Sequence, residues 1–151
     1  MSTTSEAPAV ASDAGRPTAG KLSIVMFSGT ADKFIPLGIL SQAAAAMGME
    51  VQVFVTGFAL RGFTKVRQDL PFAAEFAAMA PALAEGMAAQ HVDTWDVMLR
   101  QAKELGAEIH ACSAMCAVMG LTMADFNDLI DDIVGAASFL QMAEHGETLF
   151  I

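Results

Sequence analysis

The sequence predicts an α/β fold, a mostly parallel sheet sandwiched between helices, and three observations carry that prediction. Short apolar runs rich in β-branched residues alternate with segments whose apolar residues recur at three- and four-residue spacing. Most of the runs stop at Gly, Ser or Thr. The length, 151 residues, suits one domain with a core large enough to need no staples.

The elements follow in order. Met1 to Gly20 is rich in Ser, Thr, Ala, Pro and Gly and reads as a disordered tail, leaving 21–151 as the single domain. Lys21 to Phe27 is apolar on both faces, as a central parallel strand must be, and ends at Ser28-Gly29-Thr30. Asp32 to Met47 reads as a helix with Pro36 in its first turn and Leu37, Leu40, Ala43, Ala44 and Met47 on its buried face. Gly48 is its left-handed cap, and Glu50 to Thr56 alternates as the second strand, completing a βαβ unit.

Gly57 to Val92 is too long for a simple connection. A short helix near 58–67, an irregular stretch and an Ala/Met-rich helical piece are expected. This region is a lid, an oligomer contact or a partner-docking surface. Arg61, Lys65 and Arg67 within it are either a solvated helix face or a basic rim that attracts anions. Asp93 or Thr94 then caps a helix to about Leu105, with Trp95, Met98, Leu99 and Ala102 as its apolar stripe. Ala107 to Ala111 is the third strand. A short helix runs from a Thr122 cap to about Leu129, a fourth strand spans Ile130 to Val134, a helix follows to about Glu144, and Thr148 to Ile151 is the last strand.

Composition excludes several functions. The net charge of −9 argues against nucleic acid and anionic membrane surfaces. The apolar fraction is 54% and the mean hydropathy +0.47, yet the most apolar stretch, Leu70 to Ala89, carries Glu75, Glu85 and Pro81, so no membrane span is expected. A buried homo-oligomer interface accounts better for the surplus. The N-terminus has neither a basic nor an apolar signal region, and with two cysteines the chain reads as cytoplasmic, with free thiols.

Both cysteines lie in His110-Ala-Cys112-Ser113-Ala-Met-Cys116. The stretch reads as a strand end, a turn and a helix start, which places Cys112 at the carboxyl edge of the sheet, where α/β sites lie. At a helix start the unpaired N–H groups favour an anion and can lower a cysteine pKa of about 8.5 by one to several units. Such a thiolate calls for no metal and no cofactor. Cys116 is either a resolving thiol or a small buried residue. Cys-x3-Cys with no further cysteine is too little for structural zinc and is not a Cys-x-x-Cys redox motif. His110 shares the strand face of Cys112 and either polarises the thiol or is a satisfied neighbour. Ser28, Gly29, Thr30 and Ser113 are candidates to line the same crevice. The first turn lacks the Gly-x-Gly-x-x-Gly of a dinucleotide site.

Several segments together carry a resemblance: Phe27-Ser-Gly-Thr-Ala-Asp-Lys33, Ala44-Ala-Ala-Met-Gly-Met-Glu-Val51, Ala111-Cys-Ser113 with Val118-Met-Gly-Leu121, and Val134-Gly-Ala-Ala-Ser-Phe139. Across Lys21 to Ile151 the chain resembles the DsrE/DsrF-like sulfur-relay family, in its soluble DsrE-like branch often labelled "peroxiredoxin family". The resemblance implies a flavodoxin-like three-layer sandwich with a five-stranded sheet and assembly into oligomers, here a homo-oligomer from dimer to tetramer. It implies sulfane sulfur held as a persulfide on Cys112 and exchanged with a TusA-like carrier and a rhodanese-like protein. Cys116 has no general counterpart in the family. Two other classes stay open. A thiol peroxidase or redox sensor would use the same thiolate on peroxide, although the Thr-x-x-Cys motif with its Arg is missing. In a non-catalytic ligand-binding module both cysteines would be core residues.

Overall fold

The computed structural model describes residues 19–66 and 69–151. The expected tail therefore falls almost wholly outside the described residues, as does Arg67. Five strands form one sheet: β1 (Lys21–Met26), β2 (Glu50–Val55), β3 (Glu108–Cys112), β4 (Asp132–Val134) and β5 (Glu147–Phe150). Their spatial order is β5-β1-β2-β3-β4, and every pairing is parallel, so the expected mostly parallel sheet is wholly so. The helices are α1 (Ala31–Ala46), α2 (Ala80–Ala89), α3 (Trp95–Glu104), α4 (Ser113–Met119) and α5 (Ala136–Met142). They lie on both faces of the sheet, the flavodoxin-like sandwich that the sequence predicts.

Strand alternation sorts the core into two parts. On the first face Ile24, Met26, Val53, Val55, Ile109 and Ala111 pack against α1 and α3. On the second face Val25, Phe54, Cys112 and Val134 pack against Phe139, Met142 and Ala143. The chain steps from β1 to β4 in one direction, then returns across the whole sheet to put β5 beside β1. Parallel crossovers are right-handed, so reversing the direction sends the last helix, α5, to the opposite face.

The first face differs in detail from the expected pattern. The buried stripe of α1 is Phe34, Leu37, Gly38, Ser41, Ala44 and Ala45, whereas Leu40 and Met47 are 38% and 71% exposed. Gly38 sets this rotation: a Cβ there would sit 3.0 Å from the Trp95 Cα, so α3 packs directly on the helix backbone. Phe34, Phe63 and Trp95 close the end of that contact, with ring centroids 4.6–5.9 Å apart. Pro36 lies inside α1 and not in its first turn. The helix starts earlier because Pro71 and Ala73 engage it: the Ala31 N–H donates to the Pro71 carbonyl, and the Asp32 carboxylate accepts the Ala73 N–H at 3.0 Å. Desolvation pushes the Asp32 pKa up, but that N–H and the Thr30 hydroxyl outweigh it and hold it below the usual carboxylate range.

The long connection after β2 holds two 3-10 turns, Gly57–Phe63 and Ala74–Met79, and then α2. The first is anchored by buried Ala59, Leu60 and Phe63, and the short helix expected near 58–67 is of the 3-10 kind. The second and α2 bury no residue at all. Phe76, Met79 and Leu83 remain 41–64% exposed and, with Phe72, line an apolar hollow of about 280 Å³. The helix expected at 122–129 is only a 3-10 turn, Met123–Asp125, closed by a Thr122–Asp125 capping box. Its brevity is physical: Asn127 N–H bonds the Phe63 carbonyl, and Thr64 bridges Phe126, which pulls the chain out of the helical path. Among the described residues no helix is long and apolar enough to cross a membrane.

Gly57 has φ +53°, and a Cβ there would strike the Phe27 ring. Gly57→Ala should therefore cost about 1–3 kcal/mol from overpacking, with backbone strain in addition. Gly86→Ala, in open space within α2, should be neutral or slightly stabilising. Urea unfolding midpoints compare the two.

Candidate functional site

Cys112 is the last residue of β3 and the N-cap of α4, with extended φ −69° and ψ 118°. The β-favouring Ile109 and the alternation of the strand hold it to the second face. The free N–H groups of α4 start there, and the seven-residue helix ends at Gly120 in the left-handed region. The thiol makes no cap hydrogen bond. The connection from β3 leads to α4, whose Cys116 packs into the first-face core, while the neighbouring β4 leads to α5 on the second face. Adjacent strands whose connections part to opposite faces open a crevice at their carboxyl ends, the usual ligand position in open α/β sheets. Cys112 stands at that parting.

It is not open in this structure. Cys112 is only 7% exposed, beneath α5. Phe139 is the one buried residue of α5 and stacks on Phe54, centroids 4.7 Å apart and planes 15° from parallel. Lys21 Nζ donates to the Met142 carbonyl at 2.6 Å and ties down the helix C-terminus.

His110 is 4% exposed and fully engaged. Its Nδ1 lies 2.5 Å from Asp132 Oδ1, and its Nε2 lies 2.6 Å from Gln52 Oε1. Gln52 Nε2 in turn donates to Glu108 Oε2 at 2.6 Å. A four-residue chain thus crosses β2, β3 and β4 on the second face. Because the Gln52 amide nitrogen is committed to Glu108, its oxygen can only accept, so each His110 nitrogen faces an acceptor. With both nitrogens occupied, His110 has none left to serve as a base for Cys112.

Cys116 is 2% exposed and lies in the first-face core with Ala111, Phe126 and Leu129, across the sheet from the Cys112 cluster. Desolvation pushes its pKa up, and charge on Cys112 adds to that. Ser113 is exposed, its Oγ 3.8 Å from where a Cβ on Gly135 would stand, so it lines the parting of β3 and β4. Ser28, Gly29 and Thr30 lie on the same sheet edge but beyond β2, on the order of 10 Å away at normal strand spacing. There the Ser28 N–H bonds the Ile151 carbonyl, and Gly29 abuts Phe58. The structure thus brings Ser113 and His110 to Cys112 and leaves the Ser28–Thr30 turn apart. Among the described residues no group of three or more His, Cys, Asp or Glu is placed to hold a metal.

Sequence reasoning missed Gln52, Asp132, Phe54 and Phe139. Gln52 interrupts the apolar run Val51–Val55, and Asp132, the second of two aspartates, opens β4. Both are the kind of polar intrusion that asks for a buried partner. A separate polar cavity of about 310 Å³ lies on the first face, lined by Lys65, Trp95, Asp96, Arg100 and Asn127.

A family model described as the DsrE/DsrF/DrsH-like family matches residues 18–151. The Bacillus subtilis (strain 168) protein YrkE, described as uncharacterized, is 29% identical over 160 residues, spanning 87% of this chain and 96% of its own. Two solved structures share the fold. MTH1491 of Methanobacterium thermoautotrophicum, a protein of unknown function, has a TM-score of 0.56 at 10% identity, covering 87% of this chain and 99% of its own. YchN of E. coli has a TM-score of 0.54 at 11% identity, covering 87% and 97%.

Removing one partner of a buried polar group costs more than removing both. Asp132→Ala, which strips His110 Nδ1 of its acceptor, should cost about 1–3 kcal/mol in denaturant unfolding. Adding His110→Leu and Gln52→Leu to it should recover part of that loss.

Proposed function

The chain belongs to the DsrE/DsrF/DrsH-like family, and on that premise we propose that it is a sulfur carrier that holds sulfane sulfur as a persulfide on Cys112. The observation that supports this most is the position of Cys112, at the N-cap of α4 where the connections of β3 and β4 part. The Cys112 thiolate attacks the outer sulfur of a donor persulfide, R–S–SH. The donor's S–S bond breaks, Cys112–S–SH forms, and R–S⁻ leaves. A second thiolate then takes the outer sulfur in the same way. No electrons are gained or lost overall, so no redox cofactor or metal is needed. Cys116, the only other thiol in the chain, is buried in the core of the opposite face, so the outer sulfur passes to a thiolate of a partner. The partners are a TusA-like carrier and a rhodanese-like protein, the resident compartment is the reducing cytoplasm, and 21–151 is the working domain.

The segment from Ala74 to Ala89 supports a homo-oligomer, from dimer to tetramer. Sixteen consecutive residues that bury nothing, with Phe76, Met79 and Leu83 exposed, suit an interface that a second copy covers.

Incubation with inorganic polysulfide, followed by intact-mass and peptide analysis, should leave Cys112 one sulfur atom heavier, and Cys112→Ser should stay unloaded. An unloaded wild type, or equal loading of the variant, rejects the reading. Met79→Lys with Leu83→Lys should lower the molar mass measured by light scattering to that of one chain.

A further inference from the structure

The polar cavity on the first face has no part in the persulfide reading. Its volume is about 310 Å³, at the small end of ligand pockets, roughly 300–1,000 Å³. It is built where three connections meet outside the carboxyl ends of β1 and β2. Ala31 starts α1, Gly62, Thr64 and Lys65 lie at the end of the 3-10 turn after β2, and Trp95 and Asp96 start α3. Ligands of open α/β sheets lie at this edge.

One wall is preformed and apolar. The half-buried Trp95 indole is packed on Phe34 and Phe63, at centroid distances of 4.6 and 5.5 Å. Leu70 and Leu129 extend that wall.

The rest of the lining is charged. Arg100 is committed to Asp128, with Nη1 2.5 Å from Oδ2. That leaves Lys65, Asp69 and Asp96. Among the described residues Lys65 forms no ion pair, although the Asp125 carboxylate attracts it through space. Asp69 is exposed and can turn to water. Asp96 differs from both. Its Oδ1 is buried and meets no hydrogen-bond donor among the described residues. Arg100 stands one helical turn further along α3 but is held by Asp128. A buried carboxylate oxygen destabilises the fold until a donor reaches it.

These groups select a ligand by its charges. A simple anion would be drawn to Lys65 but would face two carboxylates. A simple cation would satisfy Asp96 and leave Lys65 unmet. A ligand with both an ammonium and a carboxylate answers both, and an apolar body answers the indole and the leucines.

We propose that this cavity binds a small amino acid as its zwitterion, with the ammonium on Asp96 Oδ1, the carboxylate on Lys65 and the side chain against Trp95. The site goes beyond the persulfide reading and does not depend on it, since Cys112 lies in the cluster on the other face of the sheet.

Trp95 is the only tryptophan and the chain has no tyrosine, so indole emission reports on this wall alone. The full-length chain is titrated with L-leucine, whose two charges share one carbon, and with ε-aminocaproate, whose charges are spaced apart. Isoamylamine and isocaproate are leucine without its carboxylate and without its ammonium. Binding is read from Trp95 emission and, where emission is silent, from calorimetry. At least one zwitterion should saturate, and should bind about tenfold more tightly than either fragment. Asp96→Ala and Lys65→Ala should each weaken that binding about tenfold. No saturation by either zwitterion, a fragment that binds as tightly as the whole, or variants with wild-type affinity overturns the proposal. Should the Asp96 variant not fold, Lys65→Ala, at an exposed residue, decides. Polysulfide loading of Cys112 is read separately, so either result can fail while the other stands.

Discussion

The right-handedness of parallel crossovers governs this molecule. Four strands laid down in one direction put α1 and α3 on the first face, and the return to β5 leaves the second face to one seven-residue helix. That helix is too short to cover the face. The sheet therefore completes its own second side, with Phe54 stacked on Phe139 level with His110 and Asp132, and Gln52 and Glu108 one step nearer the amino end. Cys112 sits beyond them at the carboxyl end, beside Val134. Its burial follows from how the chain turns back and not from any property of the cysteine.

Most of the fold was legible because local patterns and tertiary packing agree. Glu50–Val55 alternates in sequence and lies in the sheet, and Thr94 stands at the N-cap position of α3, although its side chain makes no cap hydrogen bond. Disagreement arose where packing overrode pattern. Leu40 and Met47 continue the spacing of a buried face, but Gly38 admits the α3 backbone and turns that face away from them. Pro36 marks a plausible first turn, yet contacts from Pro71 and Ala73 start the helix upstream.

The site was legible in the same partial way. A strand end, a helix start and Gly120 are local signals, so the position of Cys112 could be read directly. Its cover could not, since Phe139 reaches Phe54 only through the strand order. The same holds for His110, whose partners lie 58 and 22 residues away on neighbouring strands. The apolar surplus of the composition also has a location now: much of it lies in the exposed segment from Ala74 to Ala89 and not in an enlarged core.

The chain through His110 also constrains how this protein can vary over time. Exchanging any one of Gln52, Glu108, His110 or Asp132 alone disrupts a network in which a buried donor or acceptor depends on its neighbour. Exchanging the buried pair of His110 and Gln52 together for apolar residues leaves no such debt inside, and the two carboxylates can then turn to solvent. Drift at these four positions on three strands is therefore coupled, and descendants should carry either the full set or an apolar replacement of it.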